Sequence, residues 1–122
     1  MTILKYQMNP SSIYEEITNH SAWVGLISGL QAEKMLRNQT RPFLFVLREG
    51  EGKRENERDY YVTFVDSNLD VRHTPFVIRT TVVGWSYENY STGGIYLKTQ
   101  TIDDVIHLIM HCGKEECKPF IV

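Results

Sequence analysis

"PFLFVLREG", residues 42–50, is a run of apolar and aromatic residues after a proline, closed by Arg48, an acid and a glycine. Residues alternate faces along a strand, so Phe43, Phe45 and Leu47 share one side and Leu44, Val46 and Arg48 the other. Both sides are apolar, so both should be covered, as in a sheet sandwiched between helices. Arg48 then stands at the end of a buried strand and points inward. A buried guanidinium needs a partner, because an unpaired buried charge costs several kcal/mol, and Glu49 projects to the opposite face.

The flanking sequence supplies the rest of an α+β domain. "YYVTFVD" (60–66) reads as a second strand, joined to the first by the polar, glycine-bearing stretch "EGEGKRENERD" (49–59), which reads as a loop. "LDVRH" (69–73) is a third strand that Pro75 should end or bulge, and "GGIYLK" (93–98) a fourth. Ser12 with Glu15, and Ser28 with Gln31, have the spacing of capping boxes that open helices. "TIDDVIHLIMH" (101–111) places Ile102, Val105, Ile106 and Ile109 on one helical face, with Asp103 and Asp104 in the first turn and Gly113 as its stop. The expected fold is a central antiparallel sheet flanked by one helix on each face.

Composition fits one domain. The 122 residues are 42% hydrophobic and 23% charged, with a formal net charge of -2, so general attraction to nucleic acid or to an anionic membrane is not expected. No apolar stretch approaches the roughly 20 residues of a membrane span, and "MTILKYQM" is too short and polar for a signal peptide. Two cysteines, Cys112 and Cys117, are too few for a secreted disulfide framework and suggest a reducing, cytoplasmic compartment.

Alone, Arg48 has two readings: it pairs or snorkels within the protein, or it forms a socket for a doubly charged oxyanion gripped by its fork. Gly50 and Gly52 could free the backbone to aim N–H groups at such an anion, with Lys53 and Arg54 adding charge. His107, His111, Cys112 and Cys117 could in principle hold zinc, but their spacing matches no familiar finger and Cys112 adjoins His111 on a different face. No metal or other cofactor is therefore expected. No histidine and acid are arranged around either thiol as a cysteine nucleophile requires, so an enzyme is not expected either.

"WVGLISGLQAEKML" (23–36), "FLFVLREG", "YYVTFVD", "DVRH" and "GGIYLKTQTIDDVIHLIMH" (93–111), in this order and spacing, resemble a Src-homology-2 domain, the phosphotyrosine-binding module. "FVLRE" stands where that family carries its phenylalanine-leucine-valine-arginine-glutamate-serine signature. The match runs from about Trp23 to His111 and implies a domain over 23–122, with 1–22 as an N-terminal extension holding a short helix and an insertion at about 77–92. It implies that Arg48 binds the phosphate, that His73 lines the phosphotyrosine site, and that Tyr61 faces the pocket. Tyrosine-phosphorylated proteins or peptides become the expected partners of a monomer.

Three positions depart from the family pattern. Gly29 stands where many members carry a second phosphate-binding arginine, Gly50 where the signature has serine, and Pro75 where a basic residue is usual. Lys53, Arg54, Arg58 and Arg72 are candidates to compensate. The insertion "VIRTTVVGWSYENYST" (77–92) offers Trp85, Tyr87 and Tyr90 as a lid over the phosphotyrosine ring. The short connection "CGKEEC" (112–117) implies low selectivity for residues after the phosphotyrosine, and the pattern is similar to domains of bacterial effectors acting in host cytosol. "YEEI" (14–17) resembles a ligand of such domains once phosphorylated, and the capping box accounts for the same letters.

Overall fold

The computed structural model describes residues 12–54, 57–81, 84–89, 94–96, 101–113 and 115–121. In chain order the elements are α1 (Ser12–Thr18), β1 (Trp23–Gly25), α2 (Gly29–Leu36), β2 (Leu44–Arg54), β3 (Glu57–Val65), β4 (Val71–Thr81), β5 (Gly84–Asn89), β6 (Gly94–Tyr96), α3 (Ile102–Met110) and β7 (Lys118–Pro119). Strands β2 to β6 form an antiparallel meander. The other edge of β2 is shared by two short parallel strands, with β1 opposite Leu47 and Arg48 and β7 opposite Leu44 and Phe45. The class is α+β. Among the described residues no helix is long and apolar enough to cross a membrane.

The alternation along β2 sorts the core as the sequence predicts. Phe45 and Leu47 enter one cluster with Val62, Phe76, Ile78 and Tyr87, and Val46 enters the other with Ala32, Leu36 and Val65. Burying each such aliphatic or aromatic side chain contributes about 1.5–3 kcal/mol, which is why a strand this apolar is stable only between two layers. The helix arrangement differs from one per face. Ile13 and Ile17, four apart on α1, are buried in the same cluster as Ile102, Val105, Ile106 and Ile109 of α3. Two helices therefore share that face, and among the described helices α2 covers the side toward which Arg48 points, together with Val24, Ile27 and Phe120. The segment expected as an extension thus contributes to the core.

Helix boundaries follow local chemistry. At the start of α2 the Ser28 hydroxyl accepts from the Gln31 N–H (3.1 Å) while the Gln31 side chain accepts from the Ser28 N–H (2.8 Å). Thr101 and Asp104 form the same reciprocal box on α3. At the other end α3 stops earlier than the expected Gly113: His111 adopts the left-handed conformation (φ 54°, ψ 43°) and turns the chain.

The expected loop 49–59 is mostly strand. β2 continues to Arg54 and β3 begins at Glu57, with an irregularity in the ladder between Glu49 and Lys53. The glycines are there for close approach: a Cβ on Gly50 would lie 2.9 Å from Asp59, and one on Gly52 would collide with the Asp59 carboxylate. The polar residues that look like a loop in one dimension are the solvated faces of a ribbon.

Pro75 does not end β4. It pairs with Tyr61 on the β3 side, and the β5 ladder begins only at Phe76, so a residue without an N–H stands where that side has no described neighbour.

Candidate functional site

Arg48 is 7% exposed, and it and Thr63 are the buried polar residues among those described. Three side chains hold it. Its Nε donates to Thr63 Oγ1 (3.1 Å), its Nη2 lies 3.4 Å from His73 Nδ1, and its guanidinium stacks 4.1 Å from the centre of the Tyr61 ring. Strand register brings these groups together. Arg48 pairs with Tyr61, Thr63 pairs with His73, and Tyr61 and Thr63 are two apart on one strand.

The network assigns the protons. Thr63 accepts from Arg48, so its own hydrogen is available to His73 Nδ1, 3.0 Å away. Nδ1 as acceptor leaves the ring proton on Nε2, which lies 3.7 Å from Glu33 Oε1 of α2.

None of these partners is anionic. Among the described residues no carboxylate forms an ion pair with Arg48, and burial lowers its pKa from the ordinary value, with Tyr61 acting in the opposite direction. The burial penalty of the charge is met by hydrogen bonds and a ring face rather than by an opposite charge.

Arg48 forms the floor of an open cleft of about 670 Å³. Leu26, Ile27, Ser28 and Gly29 make one wall, and Glu49, Gly50, Glu51, Asp59, Tyr61 and Pro75 the rest. Gly29, where the resemblance would place a second arginine, is the closest approach of α2. A Cβ there would lie 3.3 Å from Arg48 Nη2. The start of α2, the end of its dipole that favours anions, is thus held against the guanidinium. Leu26, 73% exposed, borders the same opening.

The other expected site residues fall in different places. Gly50 lines the cleft, whereas Gly52 packs against Asp59, and both lie in a strand rather than an anion-cradling loop. Arg54 is exposed opposite Glu57, and the side chain of Lys53 lies outside the described residues. Arg72 is on the surface, paired to Asp66 at 2.8 Å. Arg58 stacks on the Tyr14 ring at 4.4 Å, and the Tyr14 hydroxyl bonds Thr80.

The lid is a correction. Trp85 and Tyr87 lie on β5, paired with Thr80 and Ile78; Tyr87 is fully buried and Trp85 packs against the core on the α1 and α3 face, so neither covers Arg48. Two apart on a strand, both take the sheet face opposite Arg48, where the larger core cluster lies. Tyr90 lies outside the described residues. Sequence reasoning missed Thr63 and Glu33. Thr63 had a readable signal, a hydroxyl between Tyr61 and Val65 on the Arg48-facing side of the strand.

Comparison with known proteins finds no family model that matches this chain and no match among curated proteins.

Proposed function

We propose that this chain is a non-enzymatic phosphotyrosine-binding module of the Src-homology-2 kind. The observation that carries the reading is Arg48: a buried guanidinium with no carboxylate partner among the described residues, at the floor of an open cleft. A phosphate dianion entering the cleft supplies the missing charge and accepts from the guanidinium N–H groups that Thr63 does not use. The start of α2 adds a favourable dipole, which offsets in part the absent second arginine. Leu26 and Ile27 on one side, with Tyr61 and Pro75 on the other, provide apolar surface for the tyrosine ring. Tyrosine-phosphorylated proteins or peptides in a cytoplasm, including that of a host reached by a bacterial effector, are the partners this chemistry fits. Low selectivity among them is expected, because the described part of the site grips the phosphotyrosine itself.

A second reading has its own observation. Glu51 and Asp59 border the cleft and oppose an anion, so the domain could use this fold as an interaction scaffold without phosphate. Calorimetric titration with a phosphotyrosine peptide and with its unphosphorylated twin separates the two. Binding of the phosphopeptide alone, lost in Arg48→Ala and in Arg48→Lys, supports the first reading. Equal binding of both peptides, or none of either, sinks it.

A further inference from the structure

The turn after α3 gathers three metal-ligating side chains far in sequence from the Arg48 cleft. The left-handed backbone of His111 folds the chain back, and the His111 and Cys112 N–H groups both go to the His107 carbonyl, the latter at 3.4 Å. A second turn follows, in which the Glu116 and Cys117 N–H groups return to the Gly113 carbonyl at 3.0 and 3.2 Å. Cys112 and Cys117 thereby meet as a disulfide, with Cα atoms 6.2 Å apart. One ring nitrogen of His107 and the two sulfurs all lie within 4.8 Å of one another.

Three features of this cluster suit a metal. Ligand atoms around a tetrahedral zinc, with bonds of about 2.0–2.3 Å, are separated by roughly 3.5–3.8 Å, so donors that already lie within 4.8 Å of one another need only the sulfurs to part on reduction. His107 Nδ1 is buried and has no hydrogen-bond partner among the described residues, a costly state for a polar atom and one that calls for an explanation. A cleft of about 480 Å³, bordered by His107, Cys117, Asp103 and Asp104, gives access from solvent. His20, on its rim, has both ring nitrogens engaged, one accepting from the Ala22 N–H and the other 2.8 Å from Asp103 Oδ1. His111, which looks like a ligand in the sequence, is exposed and outside the cluster.

We propose that, once the disulfide is reduced, His107, Cys112 and Cys117 bind one zinc ion whose fourth position opens to this cleft. Two thiolates and an imidazole form a donor set of borderline softness that suits zinc and disfavours calcium or magnesium. A thiol or phosphine reductant supplies the two electrons that break the sulfur–sulfur bond and is itself oxidised. Each sulfur takes up a proton, and zinc then displaces both protons. Disulfide and metal are mutually exclusive occupants of one turn. Either one ties the end of α3 to Cys117, the residue before β7.

The test uses the full chain, phosphine-reduced and metal-free, titrated with Co2+ alone and then with Zn2+. One equivalent of Co2+ should give thiolate charge-transfer and tetrahedral ligand-field bands, and one equivalent of Zn2+ should remove them. Cys112→Ser and Cys117→Ser should each weaken zinc by at least roughly 100-fold, since losing even a supporting group costs about 10–100-fold. His107→Gln should weaken it by at least about 10-fold, and His111→Gln should leave it unchanged. Disulfide-bonded protein should take up none. Circular dichroism confirms that each variant is folded, and His107→Gln, which spares both cysteines, decides the matter if a serine variant is not. A reduced parent that shows no thiolate–cobalt band, or zinc binding that His107→Gln leaves intact, overturns the proposal.

Discussion

Two arginines on neighbouring parts of the sheet show how this chain treats charge. Arg79, on β4, is 37% exposed and is clamped by two acids, its Nε 2.9 Å from Glu57 and its Nη1 2.6 Å from Glu88. Those hydrogen bonds raise its pKa, that to Glu88 most. Arg48, on β2, is more deeply buried, has neutral partners, and has its pKa lowered by burial. The more exposed arginine has the stronger internal pairing and the buried one the weaker. A purely structural role would favour the reverse, because a buried charge gains most from an opposite charge and loses most without it. The contrast is what the proposed binding role of Arg48 accounts for: a phosphate would supply the complement that the described residues do not.

The sharpest way to break this contrast is Arg48→Ala. It should weaken phosphotyrosine peptide binding by at least about 30-fold, the equivalent of roughly 2 kcal/mol or more. The melting temperature should shift by less than about 5 °C, because an uncompensated buried charge leaves with the side chain. Calorimetry and a thermal melt read the two effects, and a collapse of the fold with binding intact per folded molecule would reverse the assignment.

Thr63→Val is next in size. It keeps the shape and removes both the acceptor for Arg48 Nε and the donor to His73, so affinity should fall about 10-fold, in line with roughly 1–2 kcal/mol for a buried hydrogen bond. An unchanged affinity would mean that Tyr61 alone orients the guanidinium.

A smaller effect is expected for Gly29→Ala. The added Cβ, 3.3 Å from Arg48 Nη2, must push the guanidinium by a few tenths of an ångström, and a roughly 3-fold loss of affinity should follow. Stability should not fall, since alanine is favoured over glycine in a helix. A Gly29→Ala protein that binds better would show that the cleft has room the guanidinium does not need.

Arg79→Gln should be the mildest for binding, with no change in affinity and a loss of stability within about 1 kcal/mol by urea denaturation, as expected for partly exposed pairs. Loss of peptide binding in this variant would dissolve the distinction between the two arginines.

Much of this architecture is readable in the sequence because it is local. The alternation of Leu44, Val46 and Arg48 against Phe45 and Leu47, the Ser28–Gln31 capping box, and the apolar face of Ile102 to Ile109 each depend on residues a few positions apart. What was hidden depends on context. Gly50 and Gly52 read as loop residues until Asp59, across the ribbon, explains them. Trp85 and Tyr87 read as a lid until their strand partners fix which face they take. The meeting of His107 with the two cysteines, whose spacing matches no familiar finger, depends on the left-handed turn at His111.

The paired short strands on the β2 edge have a consequence for how the domain assembles and breathes. The strand residues around Arg48 are brought together by hairpins between consecutive strands, with Leu26 to Gly29 as the other wall, whereas β7 reaches Leu44 and Phe45 from Lys118 and Pro119, across most of the chain. Closing that long loop costs entropy that a two-residue ladder, the Lys118 N–H to Phe43 and Phe120 N–H to Phe45 carbonyl bonds and the burial of Cys117 recover. The amide protons of Lys118 and Phe120 should therefore exchange with solvent sooner than those of Leu47 and Val62, through an opening that releases the tail and leaves the meander folded. In that partly opened form the hairpins that carry Arg48, Tyr61, Thr63 and His73 stay assembled.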